Sequence, residues 1–164
     1  VQQQPEAIPP LDLVLKIQER LAAVGAPSVV GGSGLLYSLG HVTEVRGWDL
    51  VTDAPPSRVR PVLGALGLDV SAIAPQGDLV TERHFRINAG DHTIDILVKF
   101  RLRAGEEIRE IPATPGATWR GLVMARPEEW ALVYTLVGRS DRAAMLSAPP
   151  APPTQPPTAP GGWR

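Results

Sequence analysis

A chain of 164 residues with 43% hydrophobic residues holds enough apolar material for one domain with a packed core. Its net charge of −1 provides no whole-chain attraction to phosphate backbones or anionic membranes, so a nucleic-acid partner would need a local basic patch. The lack of cysteine excludes disulfides, thiolate metal sites and thiol catalysis and suits a reducing, cytoplasmic setting, and no apolar run reaches the length of a membrane span.

Residues 1–10 are polar and carry Pro5, Pro9 and Pro10, which reads as a loose leader. Leu13, Val14, Ile17, Leu21 and Val24 then recur at helical spacing until Gly25-Ala26-Pro27 stops the helix. Residues 28–30 read as a short buried strand and 33–39 as a short helix opening directly from two glycines. Residues 48–52 form a second strand, Asp53 to Ser57 a turn, and Val59, Val62, Leu63 and Leu66 one apolar helical face ending at Gly67. Residues 79–88 and 92–99 have strand character and are joined by Ala89-Gly90-Asp91, which predicts an antiparallel hairpin.

Residues 101–110 alternate charge with Leu102 and Ile108 and read as edge strand or loop, and 111–118, with Pro112 and Pro115, as a connection. A further strand is expected over 120–124, a helix over 127–137 with Pro127 in its first turn, and a last helix over 141–146. Seven of the eighteen prolines fall between Pro149 and Pro160, so residues 148–164 read as a proline-rich disordered tail and the domain as 11–147. The Pro-x-x-Pro spacings in that tail can dock aromatic grooves, but arise by chance in any proline-rich segment.

Two segments carry candidate chemistry. Gly31-Gly32-Ser33, delivered by a strand into a helix start, presents free backbone N–H groups and a hydroxyl on which phosphates can rest. The bland alternative is a tight turn with Ser33 as helix cap. Asp95, between Ile94 and Ile96, is a charge among apolar neighbours, which faces either a site or a cation such as Arg83 or Arg86. His41, His84 and His92 have no metal-ligand spacing and read as ordinary histidines, with His84 and His92 as cross-strand neighbours on the hairpin. The basic and aromatic residues of 83–86 and 99–103 suit a polyanion or, more plainly, a charged strand that resists aggregation.

Val29-Val30-Gly31-Gly32-Ser33 followed by Gly47-Trp48-Asp49-Leu50 resembles the signature of the polymerase β-like nucleotidyltransferases, hydrophobic–Gly–Gly/Ser, a spacer, then Asp-x-Asp. Arg46-Gly47-Trp48-Asp49-Leu50-Val51-Thr52-Asp53-Ala54-Pro55 is similar to the matching stretch of CCA-adding enzymes and related small nucleotidyltransferases. The likeness spans residues 29–62. It implies an α/β (α+β) domain of the nucleotidyltransferase fold, with a small mixed sheet, helices mainly on one face and a C-terminal helical pair.

The resemblance also implies roles. Gly31, Gly32 and Ser33 would bind the phosphates of an NTP, and Asp49 and Asp95 would be the catalytic and metal-binding carboxylates, with Mg2+ as cofactor. Gly47 stands where the family has its first Asp, with Glu44 as a distant candidate substitute, so one ion held by Asp49, Asp95 and a phosphate is the reduced expectation. The Pro127-Glu128 opening and the Arg139 to Arg142 segment resemble the C-terminal helices of small nucleotidyltransferase-like proteins, where Arg139 or Arg142 reaches a triphosphate or else forms a solvated helix end. The family's mid-helix Lys falls at Val133 or Tyr134. Two functions follow from the resemblance. One is transfer of a nucleoside monophosphate to a protein, RNA end or small hydroxyl compound. The other is a degenerate nucleotide-binding or protein-interaction module, with toxin–antitoxin nucleotidyltransferases as the comparison.

Overall fold

A computed structural model of the chain describes residues 7–147. The order is α1 (Asp12–Ala23), β1 (Ser28–Gly31), α2 (Gly32–Ser38), β2 (Gly47–Thr52), α3 (Pro56–Ala65), β3 (Asp69–Ala72), β4 (Arg83–Asn88), β5 (Thr93–Val98), β6 (Arg101–Ala104), β7 (Glu107–Glu110), β8 (Pro115–Trp119), β9 (Leu122–Ala125), α4 (Pro127–Leu136) and α5 (Ser140–Ser147). The main sheet runs β3-β4-β5-β2-β1-β9-β8, mixed in direction: β2 is parallel to β5 and β1 to β9, the other pairs antiparallel.

Strand alternation divides the sheet into two faces. On one lie Val30, Trp48, Leu50, Ile94, Ile96, Phe85 and Ile87, all essentially buried. The apolar faces of α1, α2 and α3 cover this side, and α2 approaches so closely that a Cβ at Gly34 would lie 3.0 Å from the Trp48 ring. The opposite face carries the polar residues, closed at one end by α4 and β6. β1 and β9 share a single register pair, Val30 with Met124. Buried Gln18 completes that joint. Its Nε2 donates to Ser28 O (3.0 Å) and Val123 O (3.1 Å), and its Oε1 accepts from Val123 N (2.8 Å).

Several expectations change. Ala7 of the supposed loose leader bridges Glu44, with Val45 N donating to its carbonyl at 2.8 Å; residues 1–6 and the expected proline-rich tail of 148–164 lie outside the described residues. The strand expected over 79–88 begins only at Arg83, because Leu79 turns away to bridge Gln76 and Leu102. Residues 101–110 form a separate two-stranded hairpin, β6–β7, rather than an edge of the main sheet. The expected connection at 111–118 contains the start of β8, and Arg120-Gly121, both at positive φ, make the two-residue turn into β9. β3, which adds the sheet's edge, was not expected at all.

Candidate functional site

Register brings the site together. Gly31 pairs with Asp49, Asp49 with Asp95, Asp95 with Arg86, and Arg86 with Ser71, one row across five strands. Register partners share a face, so both aspartates and Arg86 lie on the polar side, with His84, two residues before Arg86, beside them. The two aspartates therefore sit side by side on adjacent parallel strands, whose backbones run about 4.8 Å apart.

Their surroundings differ. Arg86 grips Asp95 with Nε to Oδ1 at 2.8 Å and Nη2 to Oδ2 at 3.4 Å, while His84 Nε2 lies 3.3 Å from Oδ1. Burial pushes the Asp95 carboxyl up, but the contacts from His84 and Arg86 outweigh it and hold the group below its ordinary value. Asp49 has no hydrogen-bond or ion-pair partner among the described residues. Burial pushes its carboxyl from 3.8 to about 6, the Asp95 charge adding to the rise and His84 and Arg86 opposing it. Asp95 thus pairs with Arg86, one of the two sheet arginines expected for it, and is the register partner of the other carboxylate.

The glycines are shaped by these neighbours. Gly32 has φ +59 and the Asp49 carboxylate packed where a Cβ would point; Gly31 has the Trp130 indole there. α2 is only seven residues long, and its N-cap is Gly31 with no side-chain cap, so Ser33 does not cap it. Ser33 instead lines a cleft of about 200 Å³ with Arg46, Gly47, Asp49 and Asp95, and a polar cleft of about 570 Å³ with His41, Glu44, Arg46 and Arg142. Arg142 Nη1 lies 3.4 Å from the Tyr134 hydroxyl. Burial raises the Tyr134 pKa and the Asp49 charge adds to the rise, with Arg142 opposing it. Arg139 pairs with Asp141 at 3.4 Å, the solvated helix end.

Gly47 leaves no room for a side chain. It pairs with Thr93, and a Cβ on it would stand 2.6 Å from the Thr93 carbonyl oxygen, a backbone atom that cannot swing aside. Glu44 is bound by Arg46 at 3.3 Å and does not line the cleft that holds Asp49 and Asp95. Gly47→Asp is therefore expected to lower stability by about 1–3 kcal/mol, as overpacking does, and to create no transfer activity. Chemical denaturation beside a pyrophosphate-release assay checks both; an undiminished midpoint would show that the strand ends part freely.

Asp49 and Asp95 are the two carboxylates expected to hold magnesium. Among the described residues no group of three or more His, Asp or Glu is placed to hold a metal ion, and one of the two carboxylates is already held by a guanidinium. His84, read from the sequence as an ordinary sheet histidine, stands on β4 beside Asp95. It faces Leu97, not His92, because register rather than proximity to the turn decides its partner. Sequence reasoning missed Trp130; only a tertiary contact places it over Gly31.

No protein-family profile and no curated protein matches the chain. Solved structures with its architecture include TM1012 of Thermotoga maritima, provisionally assigned as a nucleotidyltransferase, at 18% identity and TM-score 0.59 over 83% of this chain and 89% of that one. They also include the antibiotic-resistance factor ANT(2'')-Ia in solution, at 15% identity and TM-score 0.56 over 83% of this chain and 81% of that one. The chain has the nucleotidyltransferase fold: a mixed sheet carrying the glycine turn and both aspartates on one face. Among the described residues no helix is long and apolar enough to cross a membrane.

Proposed function

We propose that the protein binds a nucleoside triphosphate beside the Gly31-Gly32-Ser33 turn and does not transfer it, a nucleotide-binding module on a nucleotidyltransferase fold. The observation that carries this reading is the end of β2, where the Thr93 carbonyl fills the space a carboxylate at Gly47 would need. The Arg86 grip on Asp95 supports it, since a carboxylate neutralised by a guanidinium is a poor general base and a poor metal ligand. Phosphates have candidate partners in the Ser33 hydroxyl and the guanidinium groups of Arg46 and Arg142, which share the polar cleft. Retained transfer to a protein, RNA or small hydroxyl acceptor is the second reading. Asp49 and Asp95 as register partners on a clefted face favour it, and they would then be the catalytic pair.

The test is calorimetric titration of ATP, GTP, CTP and UTP with and without magnesium, with pyrophosphate release followed in parallel. At least one triphosphate should bind, Arg142→Ala should weaken it about tenfold, as loss of a charge-assisted contact does, and no pyrophosphate should appear. Release by the parent that disappears in Asp49→Ala would install the transferase reading instead. No binding by any triphosphate would remove the nucleotide altogether.

A further inference from the structure

On the other side of the aspartates from Ser33 lies a cavity of about 470 Å³, within the range of small-molecule sites. Its lining sets apolar side chains, with Leu97, Phe100, Leu102, Trp130 and Val133 prominent, beside a charged group in which Asp49, Asp78 and Asp95 stand with Arg86 and His84. Phe100 and Trp130 stand with ring centroids 5.5 Å apart, tilted by 32°, so the wall presents two π systems to whatever enters.

We propose that this cavity takes a small organic ammonium ion with a flat apolar body, held without a metal. Charge decides the polar end. The titratable groups beside Asp49 in this lining are Asp95 on β5 and His84 and Arg86 on β4. Arg86 and His84 are committed to Asp95, which leaves Asp49 as the carboxylate without an ion-pair partner, and Asp78 adds a further negative charge to the lining. A carboxylate beside apolar walls and without an ion-pair partner recruits a cation, and a compact N–H donor both pairs with it and lies against the negative faces of Trp130 and Phe100. The walls decide the rest. A polyhydroxylated body would strand its hydroxyls against Leu97 and Leu102, whereas a flat hydrocarbon loses nothing there.

The inference goes beyond the nucleotide reading, and its site shares only Asp49 and Asp95 with the cleft at Ser33. The experiment titrates the full chain, free of magnesium, with benzylamine and phenethylamine against 2-phenylethanol and phenylacetate. Amines should bind at least about tenfold more tightly than the alcohol, as expected for a charge-assisted contact, and phenylacetate not at all. Asp49→Asn should remove that preference, and in the parent the Trp130 indole N–H resonance should shift on amine addition. Equal binding of amine and alcohol overturns the proposal, as does amine binding untouched by Asp49→Asn or an unmoved Trp130 resonance. Magnesium that binds in place of the amine and excludes it also overturns it. ATP titrated into the same sample keeps the two readings apart, since amine failure beside ATP binding sinks only this one.

Discussion

Replacing Asp49 by Asn is expected to stabilise the protein at neutral pH, on the order of 3 kcal/mol. A carboxyl carried from 3.8 in the open chain to about 6 in the folded one binds its proton more tightly when folded. The unfolded state then holds fewer protons across that interval, so stability falls as pH rises through it. Below 3.8 both states are protonated and the penalty is absent; above about 6 it is complete. At about 1.4 kcal/mol per tenfold change in proton affinity the difference reaches the stated size. Urea denaturation of parent and Asp49→Asn at pH 4 and pH 7.5 measures it: the curves should nearly coincide in acid and separate at the higher pH, with the variant more stable. Equal midpoints at pH 7.5 would mean that Asp49 is solvated well enough to carry its charge freely.

The second large effect concerns Gln18→Leu. The substitution keeps the volume but withdraws one acceptor and both bonds donated by Nε2, leaving Ser28 O, Val123 O and Val123 N without their partner at a joint that has one strand register pair of its own. Stranding buried backbone groups costs about 1–3 kcal/mol each when water cannot reach them, and partial relaxation brings the expected total to about 3 kcal/mol. The unfolding midpoint reports the global loss. Amide hydrogen exchange at Val123 should accelerate well beyond that at Ile96, which sits mid-sheet. A loss below about 0.5 kcal/mol would show that β1 and β9 hold each other without the glutamine.

What could be read from the residues, and what could not, follows from the range of the signals. α1 and α3 announced themselves because their buried residues repeat at helical spacing, as Val14, Ile17 and Leu21 do, and β5 because Ile94 and Ile96 bracket a charge. β3 was silent: Asp69–Ala72 is an exposed edge strand with only Val70 half-buried, so no alternation marks it. β8 opens on Pro115-Gly116, residues that argue for a loop, and only its pairing with β9 makes it a strand. Within the site, the glycine turn and Asp49 were legible because their neighbours in sequence are also their neighbours in space. The Arg86 contact was foreseeable only as one of two candidates, since the choice between Arg83 and Arg86 depends on hairpin register. His84, Trp130 and Tyr134 gain their meaning from elements far away along the chain, and no local pattern carries that.

The contact between Gly47 and Thr93 also bears on which changes lie within reach of a single substitution. Any side chain at that strand end meets the facing carbonyl, so a carboxylate there needs a second change that separates the two strands. Such a barrier acts as a ratchet: selection on this chain explores uses for the residues the site holds more readily than it adds a carboxylate at position 47.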